Sequence, residues 1–398
     1  MNGKIIRNRF ILGSLIVWLL AGACSPQAES PTGSGSEQSV TDTTVSVTEP
    51  LTSEETVIGT ASEPVTDSPQ PELTRYNATF LQLFDTLTQV IGFAETEDDF
   101  RTEVAQLRAD LTEYHELYDI FTSYEGVTNL KAVNERAGEG PVQVDERIID
   151  LLEYSIELYD ETDGRVNIAF GSVLELWHAS REHASNFPEE AAVPSREELE
   201  AAARHTSIEN VVIDRENMTV ELLDPEMSLD VGAIAKGYAT EQAALLAEAR
   251  GVEYMLISVG GNVRAIGGRG SDAEPWRVSI RNPFEEEQKD QPNLTILNII
   301  QASLVTSGVY ERYYMVDGER YHHIVDPETL QPENRYMSVS VVTPDSGFAD
   351  ALSTAIFNMS SDEGLSYIES LPDTEAIWVL PDGTEIVSSG FRDLESDR

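Results

Sequence analysis

Three short stretches of this chain carry residue types that can handle phosphates, metals and protons. The first is Asp230-Val231-Gly232-Ala233-Ile234-Ala235-Lys236-Gly237-Tyr238-Ala239. Asp230 falls in a strand-like alternating run, Met227 to Val231, and small residues then open a helix that continues through Glu248. Free backbone N–H groups at a helix start attract phosphates, and small residues let a ligand come close. A plain strand-to-helix turn would read the same way. The second stretch is Tyr321-His322-His323-Ile324-Val325-Asp326-Pro327. Strand alternation sends His322 and His323 to opposite faces, so one can face a site while the other packs or meets solvent. A histidine at a strand end, where a loop begins, suits a general base. In the third, Asp350 and Thr354 stand four apart on a helix and share one side of it. Hard oxygen donors of that kind suit Mg²⁺. Alone, the pair also reads as an ordinary first-turn acid and a helix filler.

The elements that must position these residues follow from periodicity. Glu97–Tyr118 is expected as an amphipathic helix, as are Asp145–Tyr159, Gly171–Ala179 and Ser195–His205, the last opened by Ser195 with Glu198 three residues on. The helix after Asp230 presents Ile234, Tyr238, Leu245 and Leu246 as its apolar face and stops at Gly251. The helix of Asp350 presents Phe348, Leu352, Ala355, Ile356 and Met359. Strands are expected at Val211–Asp214, Thr219–Leu222, Tyr254–Val259, Trp276–Arg281, Leu294–Ile300, Tyr310–Val316, Arg320–Val325, Met337–Val342 and Ala376–Leu380. Asp317-Gly318 signals a two-residue hairpin, which pairs Val316 with Glu319, Tyr313 with His322 and Arg312 with His323. Helices and strands mix without regular alternation. The fold class is therefore α+β with mainly antiparallel sheets, as one large domain of two intimate lobes.

Composition narrows the chemistry further. The chain has 71 acids against 26 Lys and Arg, a net charge of −45, and only four lysines, one of them Lys236. Such a surface offers no basic stripe for nucleic acid. A polyanionic substrate needs a metal ion to be held here, because Coulomb repulsion opposes it. The six histidines (115, 178, 183, 205, 322 and 323) show no zinc spacing. No G-x-S-x-G elbow or P-loop occurs. Ser258-Val259-Gly260-Gly261-Asn262 ends a buried strand with two glycines, which admit a ligand to the backbone or simply turn the chain.

Residues 1–24 read as an export signal, with Lys4, Arg7 and Arg9 before an apolar run from Phe10 to Leu20. The run ends in Ala21-Gly22-Ala23-Cys24, and Cys24 is the single cysteine. This resembles a bacterial lipoprotein signal, with Ala21 where Leu is commonest. It implies a lipid on Cys24 and an extracytoplasmic protein anchored to the cell membrane. Residues 25–73, rich in Ser, Thr, Glu and Pro and without Lys or Arg, are expected as a disordered tether ahead of a domain at 74–398.

Five segments in order resemble the FAD:protein FMN transferase (ApbE) family: Asp230–Ala239, Ser258–Asn262, Thr306-Ser307-Gly308-x-Tyr310-Glu311-Arg312, His323–Pro327 and Asp350–Thr354. The likeness runs from about Phe84 to Phe391. It implies an enzyme that binds FAD with Mg²⁺, attaches FMN to a threonine or serine of a target flavoprotein, and releases AMP. Subunits of Na⁺-pumping NADH:quinone reductase and Rnf-like complexes are the implied acceptors. Residue by residue, it makes Asp230, Lys236, Gly260, Gly261 and Ile324 FAD contacts. The Ala233 carbonyl, Asp350 and Thr354 become the Mg²⁺ ligands, and His323 the base for the acceptor hydroxyl. Phe84 and Phe121 fall where the flavin half is contacted. Gly164-Arg165-Val166-Asn167 departs from the commoner Gly-x-Phe-Asp form, so Asn167 is a FAD contact standing where an acid is usual. Two rivals share these features: a FAD pyrophosphatase giving free FMN, and a flavin-binding lipoprotein without catalysis.

Overall fold

The computed structural model describes residues 72–284 and 288–396. The expected export signal, Cys24 and all but the last two residues of the expected tether lie outside the described residues. The chain begins with strands β1 (Thr74–Leu83) and β2 (Thr86–Ala94), then helices α1 (Glu97–Tyr118) and α2 (Leu130–Asn134). Strand β3 (Val142–Gln143), helices α3 (Glu146–Glu161), α4 (Gly171–Asn186) and α5 (Arg196–Ala202), and strands β4 (Val211–Asp214) and β5 (Thr219–Leu222) follow. Next come α6 (Ala235–Ala249), β6 (Met255–Val259), β7 (Asn262–Ile266), β8 (Trp276–Arg281), β9 (Asn293–Ile299) and β10 (Ser303–Gly308). The chain continues with β11 (Tyr313–Val316), β12 (Glu319–His322), β13 (Ser338–Thr343), α7 (Ser346–Phe357), α8 (Ser361–Ile368), β14 (Glu375–Val379) and β15 (Glu385–Val387).

The organising element is an eight-stranded sheet in the order β1-β2-β6-β7-β10-β13-β14-β15, antiparallel throughout. Its alternation buries both faces. Val339 and Val341 of β13 join the cluster that includes α1, α6 and α7, while Val342 joins the cluster under the β8–β9 ribbon with Trp276, Leu297 and Phe391. The α+β class with antiparallel sheets is as expected.

Helix α6 shows how the site side is built. Its buried face carries Ala235, Ala239, Ala243 and Ala247, four residues apart, with Gly237 and Ala244. The close approach to α7 is made at Gly237, where a Cβ would meet the Ser346 carbonyl and the Asp350 side chain, and at Glu241, whose Oε2 accepts the Ser346 N–H (2.8 Å). Leu245 and Leu246, expected on the apolar face, are instead 44% and 41% exposed. Small side chains, not bulky ones, choose the buried face here. A second expectation is also corrected. Met227–Val231 belongs to no strand. Its polar groups are met by loops and by a side chain: Asp230 N–H donates to Ile168 O (2.8 Å), and Leu229 N–H to Asn134 Oδ1 (2.8 Å).

The β11–β12 hairpin has the expected register, Val316 opposite Glu319 and Tyr313 opposite His322. Asp317 and Gly318 both have positive φ, as a type I′ turn demands. The strands are shorter than expected, yet the pairing continues one step further, since His323 N–H donates to Arg312 O (3.0 Å). The two histidines part as alternation requires. His322 is 2% exposed, lies edge-on to Phe357, and accepts the Ile324 N–H at Nδ1. Its proton is therefore on Nε2, which donates to Glu333 O (2.8 Å). It is the packing histidine of the pair.

Two outcomes are expected. A Cβ at Gly237 would collide with the Ser346 carbonyl and the Asp350 side chain. Gly237→Ala should therefore lower stability by about 1–3 kcal/mol, read as a drop in Tm; an unchanged Tm would mean that the helices separate freely. Burial pushes the His322 imidazole down to about 4, below its ordinary value near 6.5. The neutral ring thus contributes stability in full above about pH 6.5, and that share, roughly 3 kcal/mol, is lost as pH falls towards 4. NMR titration of the ring checks this: a midpoint near 6.5 would remove the effect.

Candidate functional site

The segment before α6 sets the site. Asp230, 8% exposed, accepts the Gly232 N–H at Oδ1 (2.8 Å), and its Oδ2 lies 3.9 Å from His178 Nδ1 on α4. Among the described residues the N–H groups of Ala233 and Lys236 meet no acceptor, the pattern of a helix start open to an anion.

The joint between α6 and α7 is a buried carboxylate. Asp350 Oδ2 accepts the Gly237 N–H (2.8 Å), and Lys236 Nζ stands 3.8 Å away. Burial pushes the Asp350 carboxyl up; Lys236, the Gly237 N–H and Asn262 oppose it. Because Gly237 donates to the carboxylate, it makes no bond to the carbonyl of Ala233, four residues back. Among the described residues that carbonyl is left as a free hard acceptor. Thr354, one turn beyond Asp350, is half-buried, and its hydroxyl makes no hydrogen bond among the described residues. The neighbouring Ser353 hydroxyl takes the Asp350 carbonyl instead (2.9 Å) and meets Ser307 (2.8 Å).

The described residues contain no cluster of three or more His, Cys, Asp or Glu side chains suited to a metal. One carboxylate, one hydroxyl and one freed carbonyl instead make an incomplete oxygen set. That set fits Mg²⁺, which keeps several waters and shares phosphate oxygens with its ligand.

Gly260 and Gly261 form the β6–β7 turn, both at positive φ. Gly260 packs on Thr86 so tightly that a side chain there would clash, and its N–H donates to Leu87 O (3.0 Å). The tip of the β1–β2 hairpin is thereby fixed at the same end of the sheet. Asn262, directly after the turn, is buried, and its side-chain amide stands beside the Asp350 carboxyl, which it helps to keep ionised.

His323 is half-buried; its Nδ1 is fully covered and has no partner among the described residues. Burial pushes its imidazole well below the ordinary value, helped by the charges of Arg312, His322, Arg181 and Lys236. The ring is therefore neutral and able to take a proton. Lys236 thus bears on both Asp350 and His323.

The remaining expected contacts are placed as follows. Phe84 is half-buried at the hairpin tip, with φ of 52°. A bulky side chain in that region costs of order 1–3 kcal/mol and asks for a reason. Phe121 is 65% exposed, its ring 6.0 Å from that of His178. Asn167 spends its side chain on Ala169 N–H (2.8 Å) and Thr206 O (3.0 Å). It lines a cavity of about 390 Å³ with Arg165, Arg204 and Ser207, which contains none of Asp230, Asp350 or His323. Its turn does place Ile168 against Asp230. Ile324 is buried in the core beside His322, with its N–H already used.

His178, Arg181 and the His115–Tyr124 contact of α1 were not anticipated from sequence. The four-residue spacing of His115 and Asp119 is the one local signal that pointed to the last of these.

The ApbE family model matches residues 75–378. The chain is 34% identical over 277 residues to the FAD:protein FMN transferase of Treponema pallidum, covering 66% of this chain and 74% of that one. It is 32% identical over 275 residues to that of Klebsiella pneumoniae, covering 69% and 82%. Among solved structures, the ApbE protein of Thermotoga maritima superposes with a TM-score of 0.70 at 30% identity, covering 81% of this chain and all of that one. The flavin transferase ApbE of Vibrio cholerae gives 0.67 at 26%, over 81% of this chain and all of that one. An open helix start, a buried carboxylate and a neutral histidine thus sit in a chain that belongs to the ApbE family.

Proposed function

We propose that this protein uses Mg²⁺ to transfer FMN from FAD to a threonine or serine hydroxyl of a flavoprotein, releasing AMP. One observation supports this reading above the rest. The Asp350 carboxylate is tied to the start of α6 through Gly237, and that same bond frees the Ala233 carbonyl.

Asp350, Thr354 and the Ala233 carbonyl would hold the cation, which when bound neutralises charge on the pyrophosphate oxygens. The open N–H groups of Ala233 and Lys236, with the Lys236 ammonium, orient the pyrophosphate. This matters in a chain of net charge −45. His323 takes the proton of the acceptor hydroxyl, whose oxygen bonds to the phosphorus on the flavin side. The bond from that phosphorus to the bridging oxygen breaks, and AMP leaves with it. Water in place of the hydroxyl gives free FMN and AMP, the pyrophosphatase outcome.

The export signal and Cys24 place this chemistry, in our reading, on the outer side of the cell membrane, held by a lipid. Extracytoplasmic flavoprotein subunits, such as those of Na⁺-pumping NADH:quinone reductase or Rnf-like complexes, are the proposed acceptors.

Intact-mass spectrometry of a co-expressed acceptor should show an FMN-sized increment that requires FAD and Mg²⁺; rapid AMP and free FMN without acceptor would favour hydrolysis. His323→Ala should keep FAD binding and lower transfer by about 10²–10⁴-fold. Unchanged transfer would take His323 out of the mechanism. Asp350→Ala should abolish Mg²⁺-dependent turnover, and activity surviving in chelator would dismiss the metal assignment.

A further inference from the structure

The flavin-side residues Phe84 and Phe121 are 37 positions apart, yet one chain of hydrogen bonds joins their backbones. The Phe84 N–H donates to His115 Nδ1 (3.3 Å) near the end of α1. Nδ1 accepts, so the ring proton sits on Nε2 and is given to the Tyr124 hydroxyl (3.2 Å). Tyr124 in turn donates to Asp119 Oδ2 (2.8 Å). Asp119 Oδ1 receives the N–H groups of Phe121 (2.6 Å) and Thr122 (2.9 Å). Each member has one role, donor or acceptor, that the next one completes.

Two observations give this chain a purpose beyond packing. Phe84 is held in left-handed backbone, and its ring stands edge-on to His115, with centroids 5.3 Å apart at 68°. Phe121 leaves its ring open to solvent beside His178, the neighbour of Asp230. Strain at one end and an uncovered aromatic at the other are what a planar aromatic ligand would use.

We infer that His115, Tyr124 and Asp119 are positioning residues that set the spacing of Phe84 and Phe121 for the flavin ring system. This rests on the FMN-transfer reading above. Among the described residues none of the three hydrogen-bonds to Asp230, Lys236, Asp350 or His323, so the relay bears on the flavin half. Burial and Asp119 push the Tyr124 phenol up to about 12. The Asp119 carboxyl, although partly buried, is held below its ordinary range by the Phe121 and Thr122 N–H groups and by Tyr124. Near neutral pH a phenol thus faces a carboxylate, and the hydrogen bonds run from His115 through Tyr124 to Asp119.

The test uses the full chain with Mg²⁺ and two half-ligands, FMN and AMP, beside FAD turnover with an acceptor. Tyr124→Phe and His115→Ala should weaken FMN binding and raise KM for FAD about ten-fold. AMP binding should hold, and kcat at saturating FAD should stay within about two-fold. His115→Asn, whose amide oxygen can still accept the Phe84 N–H, should be milder than His115→Ala. If His115→Ala does not fold, Tyr124→Phe carries the test, since it removes one oxygen from a ring that stays in place. FMN binding that is unchanged, or FMN and AMP binding that fall together, overturns the relay. A wild-type chain that transfers no FMN sinks the parent reading instead, a result visible before any variant is made.

Discussion

A single buried carboxylate decides where everything else in the site must stand. Asp350 accepts from the first turn of α6 and lies within reach of Lys236, so the two helices cannot slide without exposing an unpaired charge in the interior. Breaking such a buried contact from one side costs far more than its net worth when made. The position of the helix start, the freed Ala233 carbonyl and the open N–H groups all follow from it. The same lysine keeps its positive charge near His323 and helps that ring stay neutral. In the proposed reaction the metal-side and base-side groups are thus linked through one side chain.

The sheet supplies the second constraint. Its β6–β7 and β1–β2 turns reach the same end, and the Gly260–Thr86 contact leaves no space between them. The hairpin carrying Phe84 is therefore placed by the sheet, while Phe121 is placed by the exit from α1. The two aromatics thus stand on separate supports, and the hydrogen bonds through His115, Tyr124 and Asp119 are what join them.

What could be read from residues alone was the part whose signal is local. Asp317-Gly318 dictates a type I′ turn, hence the register, hence the division of labour between His322 and His323. Ser195 and Glu198 form the capping box that their spacing announces. The α7 residues Asp350 and Thr354 fall on one side because four residues make about one turn. The rest depends on what comes near from elsewhere. Strand β1 was not expected, because an edge strand with the polar sequence Thr74-Arg75-Tyr76-Asn77 shows little apolar alternation. The buried face of α6 is not legible from bulk, because small residues choose it. Met227–Val231 alternates like a strand, yet Asn134 and the Ile168 loop supply its partners. His115, Tyr124 and Asp119 look unremarkable until the β1–β2 tip is folded back onto α1.

The alanine stripe of α6 has a further bearing, on tolerance to heat and to change. Alanine has no side-chain torsion to lose on folding and none to hop between once folded. A buried face that carries Ala235, Ala239, Ala243 and Ala247 therefore meets the core with no rotamers to exchange. Warming does not loosen it through rotamer exchange. Substitution, in turn, is steered outward: positions such as Leu245 and Leu246 are free to drift with the surroundings of the protein, whereas the inner stripe admits almost nothing larger than a methyl group. The spacing of the reactive groups is thereby insulated from the surface on which a highly acidic protein adapts.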